Sequence, residues 1–333
     1  MPCPAFLFRA VLVLALLVAC PALAEDEAKL GPQVLDAVVR LRAHIPSDAR
    51  TASYLGTQRE GSGVLIDADG LIVTIGYLVT EAIGVEIVPA KGKPVQGIVL
   101  GFDNASGLGL VRAAGRIEAK PVSIGQSKDL AEKKPVLVAS FGGVEAAEPA
   151  VVVSRRPFAG YWEYLLDDAI FTTPPHRDWG GAALLGPDGR LLGIGSLTVG
   201  DAKPGDEPVP GNMFVPIDLL KPVLADLLSS GRPADPPRPW LGVNAQEVHG
   251  RIVVTRVSPD SPAEKAGIAR GDVVRTIAGR PVNEIAELWR RLWAQGPAGT
   301  AVILGVSHGG AEPHPVTVKT IDRYKYLKLD TTY

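Results

Sequence analysis

Five histidines, two cysteines and a scatter of hydroxyl and carboxylate side chains set the chemistry open to this chain of 333 residues. A hydroxyl nucleophile needs an imidazole base and a carboxylate that orients the base. The histidines are His44, His176, His249, His308 and His314. His176 stands just before a carboxylate and a glycine pair, in His176-Arg177-Asp178-Trp179-Gly180-Gly181. His176 and Asp178 would supply half of a metal site. No second cluster of His, Cys, Asp or Glu is there to complete it, so a solvated loop is the expectation. Gly142-Gly143 and Gly180-Gly181 lack the spacing and the lysine of a phosphate loop. A strand-to-helix nucleophile elbow is not expected. No metal and no cofactor is predicted.

The two cysteines, Cys3 and Cys20, both lie in the first 24 residues. That stretch reads as an export signal: one charge at Arg9, an apolar run Ala10 to Ala19, then the small-x-small site Ala22-Leu23-Ala24. Cleavage after Ala24 leaves a chain with no thiol. In the alternative, Leu17-Val18-Ala19-Cys20 acts as a lipobox and Cys20 carries a lipid. Either way the protein is expected to be exported, to the periplasm or its membrane. A net charge of −2 offers no basic field for nucleic acid.

The elements that would position any site are short strands. Hydrophobic residues make up 46%, aromatics only 6%, and there are 37 glycines and 29 prolines, which suits many turns. Apolar runs recur at Val64-Ile66, Leu71-Thr74, Val85-Val88, Gln96-Leu100, Leu108-Val111, Val136-Ser140, Ala150-Ser154, Ile170-Thr172, Ala182-Leu185, Leu191-Ser196 and Met213-Pro216. Asp69-Gly70 and Asp188-Gly189 mark hairpins. About a dozen strands at this spacing predict barrels or a sandwich. Gln33 to Ala43 reads as short and amphipathic, Ile45 to Glu60 as a loop, and Pro216 to Ser229 as a helix stopped by Gly231. Four prolines between Arg232 and Pro239 make a stiff linker. A second unit follows, 240–322, with strands near Leu241-Gln246, Ile252-Val257, Val273-Ile277 and Ala301-Val306. It has a short helix near Ala263-Ala266 and a longer one from Asn283 to Ala294. Residues 323–333 read as a polar, aromatic tail with a frayed end.

Gly61-Ser62-Gly63-Val64-Leu65-Ile66-Asp67-Ala68-Asp69-Gly70-Leu71-Ile72-Val73-Thr74 resembles the opening of a trypsin-like barrel of the HtrA (DegP-like) serine protease family. In the second unit Trp240-Leu241-Gly242-Val243, Val257-Ser258-Pro259 through Gly267-Ile268, Gly271-Asp272-Val273-Val274 and Ala278-Gly279-Arg280-Pro281-Val282 resemble the PDZ domain of that family. The resemblance implies a mainly β fold: a trypsin-like double β-barrel (25–231) followed by a small α/β PDZ domain. It also implies where the triad would stand. The histidine position falls at Tyr77 and the aspartate position at Gly107. The serine position falls at Gly180 by an ungapped count, or at Trp179 if the glycine pairs are matched. None of these side chains can play its part: a phenol with pKa near 10 is not a base at neutral pH. Of the five histidines only His176 lies in the loop of the lost nucleophile. Asp103 lies near Gly107 but is expected to serve a turn. A catalytically inactive member, a pseudoprotease, is therefore expected. Trp179 is expected to plug the old cleft or pack there.

A PDZ domain binds a peptide C-terminus as an added strand and holds its carboxylate on backbone N–H groups. By resemblance Leu241, Gly242 and Val243 line the carboxylate site, with Arg238 adding charge and Leu288 and Leu292 reaching the groove. Trp289 and Trp293 could serve either the core or the groove. The expected partners are exposed peptide C-termini or unfolded envelope proteins, with a role as scaffold, adaptor or chaperone-like factor in quality control. The other readings are an active serine endopeptidase and a subunit that regulates an active HtrA relative. A homo-oligomer, a trimer by resemblance, is implied. The chain's own end, Thr331-Thr332-Tyr333, has the form of some PDZ ligands.

Overall fold

The computed structural model describes residues 31–329. The export signal, Cys20 and the Thr331–Tyr333 end lie outside the described residues.

Twelve strands close into two six-stranded antiparallel barrels. The first contains β1 (Val38–His44), β2 (Gln58–Leu65), β3 (Leu71–Ile75), β4 (Gly84–Val88), β5 (Val95–Phe102) and β6 (Leu108–Ala113). Its strand order is β1-β2-β3-β6-β5-β4, with β4 returning to β1. The second contains β7 (Pro135–Ala139), β8 (Ala147–Gly160), β9 (Tyr164–Thr173), β10 (Ala183–Leu185), β11 (Leu191–Lys203) and β12 (Val209–Pro216), in the order β10-β11-β12-β9-β8-β7. Closure removes the free sheet edges that short strands would otherwise expose. Gly70 and Gly189 take positive φ at the two hairpin turns marked in the sequence.

Gln33–Ala43 is not one element. A 3-10 turn, Pro32–Ala37, gives way to β1, where Val38, Val39 and Leu41 are buried in the barrel. The β-branched pair favours the pleated strand over a helix. The loop after Ile45 contains a single helical turn, Ala52–Leu55, and already becomes β2 at Gln58. The helix Leu220–Ser230 ends where expected, with Gly231 in the left-handed conformation. Leu220 and Leu227 face the core, whereas Leu228 is exposed.

The second unit is a sheet of β13 (Val243–Val248), β14 (Arg251–Val257), β15 (Val273–Ile277), β16 (Arg280–Pro281), β17 (Ala301–Ser307) and β18 (His314–Lys319), faced by the helix Ile285–Trp293. Ile285, Leu288, Trp289 and Leu292 lie at helical spacing and all four are buried.

The two units are not beads on a stiff linker. Leu165 and Ala159, from the β8–β9 hairpin, pack into the core of the second unit. The indole N–H of Trp289 donates to the Gly160 carbonyl at 3.1 Å. The tail folds back instead of fraying. Its helical turn Arg323–Tyr326 places Tyr324 on Phe102 (centroids 5.3 Å apart) and Tyr326 on Trp240 (4.5 Å). The Lys328 N–H then donates to the Glu81 carboxylate at 2.7 Å. Those aromatic rings bury apolar area that a polar tail would leave in water.

Gly181 is a tight backbone position near the barrel seam. Its φ is +75°, and a Cβ there would stand 1.9 Å from the Ser62 carbonyl oxygen on β2. We predict that Gly181→Ala lowers unfolding stability by about 2 kcal/mol or more, because both strain and backbone collision oppose it. Chemical denaturation measures this, and an unchanged midpoint would contradict the packing described.

Candidate functional site

The three positions singled out in the first unit converge. Tyr77 turns out of β3 in the helical turn Gly76–Val79. Arg59, buried, fixes that turn by donating to the carbonyls of Tyr77 (2.7 Å) and Thr80 (2.9 Å). The Gly107 carbonyl accepts from the N–H of Gly76 at 2.6 Å, beside Tyr77. The Tyr77 hydroxyl donates to the Ser196 carbonyl (3.1 Å) and stands 3.0 Å from where a Cβ on Gly180 would be. Trp179 lines the same cleft as Tyr77, half-buried. Burial pushes the Tyr77 phenol above its ordinary value, so it remains protonated. Asp103 serves its turn: it accepts from the N–H groups of Ala105 and Ser106, both at 2.9 Å. The side chain nearest Gly107 is Tyr164, whose hydroxyl donates to the Ser106 carbonyl and lies 3.1 Å from a Cβ placed on Gly107.

His176 is not in a solvated loop. It is buried, with Nε2 3.1 Å from the Ser140 hydroxyl and Nδ1 3.0 Å from the Glu148 carboxylate. The Asn212 side chain brackets its backbone from both sides. Hydroxyl, imidazole and carboxylate are thus in the order a hydrolase uses. The surrounding donors are otherwise engaged. The Ser140 N–H goes to the Ala146 carbonyl (3.0 Å) and the Phe141 N–H to the Ser62 hydroxyl (3.0 Å). Neither is free to receive an oxyanion. No sequence pattern connects Ser140 and Glu148 to His176, because 36 and 28 residues separate them from it.

The sequence also contains one Gly-x-Ser-x-Gly run, Gly305-Val306-Ser307-His308-Gly309. It leaves β17 for a turn into β18 and meets no helix, so it is not a nucleophile elbow. His308 instead pairs with Asp272 at 2.7 Å.

In the second unit, Leu241, Gly242 and Val243 do converge their N–H groups on a carboxylate, and the carboxylate is the chain's own. Glu163, at the tip of the β8–β9 hairpin, accepts from Leu241 (2.9 Å), Gly242 (2.6 Å) and Val243 (3.2 Å). Gly242 makes this geometry possible. Its φ is +89°, and a Cβ would collide with Ser261 at 2.3 Å. Beside Glu163 the hairpin adds as a strand: Trp162 bridges Asn244 in antiparallel sense and the Tyr161 carbonyl accepts from Ala245 at 2.7 Å. Arg238 is not at this site, because its guanidinium covers the Trp293 ring at 4.2 Å. The cation that acts on Glu163 is Arg323, from the refolded tail. Leu288 and Leu292 sit in the core beneath the groove, and Trp289 is the helix residue that bonds the hairpin. The sequence signal for this hairpin is the aromatic run Phe158 to Tyr164, of which Tyr164 is buried while Tyr161 is exposed.

Family models match residues 61–194 as a trypsin-like peptidase domain and residues 239–320 as a PDZ domain. The class is therefore a trypsin-fold unit followed by a PDZ unit. Among relatives, the serine protease PepD of Mycobacterium tuberculosis is 27% identical over 82% of this chain and 64% of its own length. The periplasmic pH-dependent serine endoprotease DegQ of Escherichia coli is 26% identical over 75% of this chain and 57% of its own. The chain thus spans less than two thirds of the length of these relatives. A solved structure of the HtrA-type protease AlgW with a decapeptide superposes with a TM-score of 0.52 at 18% identity, covering 91% of this chain and 99% of that one. The two domain matches and these relatives together support an HtrA-like family for the chain.

Burial drives the Glu163 carboxyl up to about 7, against the opposing pull of the three N–H groups and Arg323. Arg256 lines the same cavity and is the other cation nearby. A raised carboxyl means that the folded chain holds a proton the unfolded chain releases. Its stabilisation is complete below the free carboxyl's 4.5 and is lost as pH rises through about 7. We predict that the thermal midpoint falls from about pH 5 to about pH 8, and that Glu163→Gln flattens this slope. Parallel slopes in the two proteins would contradict it.

Proposed function

We propose that this HtrA-like protein acts in the cell envelope by binding peptides through its PDZ domain, and that it is a pseudoprotease. The binding half of the reading is carried by one observation. Leu241, Gly242 and Val243 present three N–H groups to a carboxylate with a strand added alongside, the arrangement a peptide C-terminus requires. Solved AlgW structures carry a tripeptide in one case and a decapeptide in another, which supports peptides as the ligand class. The inactive half is supported by the side chains at the three converging positions: Tyr77, a protonated phenol, Gly107, and Gly180 beside Trp179. Relatives named as periplasmic proteases support export. A scaffold, adaptor or chaperone-like role toward unfolded envelope proteins follows from binding without cleavage.

The Ser140–His176–Glu148 array favours a second reading, a hydrolase with a displaced nucleophile. The engaged N–H groups of Ser140 and Phe141 argue against it, and we assign the array to holding the 174–181 loop against the β7–β8 hairpin.

Incubation with unfolded casein and a fluorophosphonate probe separates the readings. The expected result is neither cleavage nor labelling. Labelling mapped to Ser140 and abolished by His176→Ala would establish the hydrolase instead.

A further inference from the structure

The carboxylate loop of the second unit is filled before any partner arrives. Glu163 is buried, and its two oxygens take all three loop donors. The hairpin that carries it matches the register of a bound C-terminus. Counting back from the carboxylate, Glu163 takes the last position, Trp162 the one before and Tyr161 the third. The Tyr161 carbonyl bonds the β13 amide of Ala245, two residues beyond Val243. The next residue back, Gly160, is held by Trp289 of the facing helix. The hairpin therefore lies between β13 and that helix, where an added strand belongs. A glutamate side chain differs from a main-chain terminus in one respect: the chain continues past it into β9. The mimicry is thus made from within the fold, by a side chain.

We infer that the hairpin tip 160–163 is a built-in ligand that keeps the PDZ groove closed, and that peptides with a free C-terminal carboxylate open it by displacing Glu163. This rests on the peptide-binding reading above and adds its regulation. Displacement takes the carboxylate into the cavity of about 340 Å³ that separates the units. That cavity is lined on one side by Tyr77, Trp179 and Ser196, and on the other by Gly242, Val243 and Asn244. Opening the groove therefore also rearranges the surroundings of Tyr77 and Trp179. Three features hold the closed state. The Trp289 indole N–H donates to the Gly160 carbonyl, Leu165 inserts into the core of the second unit, and Asp167 pairs with Arg290 at 2.6 Å. The last pair is exposed and contributes little. The Trp289 and Leu165 contacts set how strongly a peptide must compete.

The experiment uses the whole exported chain, residues 25–333, and a labelled decapeptide ending Gly-Tyr-Trp-Val with a free carboxylate, together with its C-terminal amide. Fluorescence anisotropy gives affinity, and amide hydrogen exchange is followed at 160–164 and 241–243. We expect Glu163→Ala to bind the acid peptide about tenfold or more tightly than the wild type, since it removes the acceptor that occupies the three loop donors. Glu163→Gln, which keeps an oxygen acceptor of the same reach and carries no charge to desolvate, should stay close to wild type, and the amide peptide should bind none of the three. Exchange at 241–243 in the free protein should rise in Glu163→Ala. Equal affinities for wild type and Glu163→Ala, with unchanged exchange at both segments, would overturn the built-in ligand. If Glu163→Ala frees the 241–243 amides but no variant binds the acid peptide, the built-in ligand stands and the peptide-binding function falls.

Discussion

One buried carboxylate on three backbone amides organises the relation between the two units. Desolvating a carboxylate is costly, and the structure offsets only part of the cost with N–H donors from Leu241, Gly242 and Val243 and with the Arg323 cation. Other contacts follow from its position. The β8–β9 hairpin must extend far enough from the second barrel to reach the loop, which places Gly160 under Trp289 and Leu165 in the neighbouring core. The tail must return to bring Arg323 close, and Tyr324 and Tyr326 anchor it there. A proline-rich linker, read alone, suggests two independent modules. The carboxylate and its supports make them one body.

The cluster of Tyr77, Gly107 and Gly180 and this hairpin are complementary. A side chain at Gly107 would meet the Tyr164 hydroxyl at 3.1 Å, and Tyr164 is the hairpin residue just after Glu163. An aspartate at that position would press on Tyr164 at the base of the docked hairpin, and the φ of +81° would strain it. On the other face, Tyr77 fills the space toward Gly180 and donates to Ser196. The glycine at 107 thus gives the hairpin room to dock. The Tyr77–Gly107–Gly180 cluster and the Glu163 site are linked through Tyr164.

Much of this is legible in the sequence. Alternating apolar runs with Asp-Gly turns predict barrels or a sandwich, the family resemblance selects the double barrel, and the PDZ resemblance picks out the Leu241-Gly242-Val243 loop, whose backbone needs its glycine. The convergence of Tyr77, Gly107 and Gly180 is readable only through the family resemblance, since no local pattern joins residues so far apart. Three things stay hidden for physical reasons. Glu163 is one acidic residue among many, and its burial depends on a partner 78 residues away. His176 reads as solvated because its partners, Ser140 and Glu148, come from other parts of the barrel. The tail reads as frayed because charge between Arg323 and Lys328 masks two aromatic anchors. Long-range pairing sets each outcome, and periodicity carries no record of it.

Nuclear magnetic resonance offers the most direct measurement of the central claim. Through-hydrogen-bond couplings from the Glu163 side-chain carboxyl carbon to the amide protons of residues 241–243 can be sought in the isolated, peptide-free protein. Couplings to these amides, together with a carboxyl that titrates near 7 and not near 4.5, are the predicted result. Absence of the couplings, with those amides exchanging as freely as exposed ones, would contradict it.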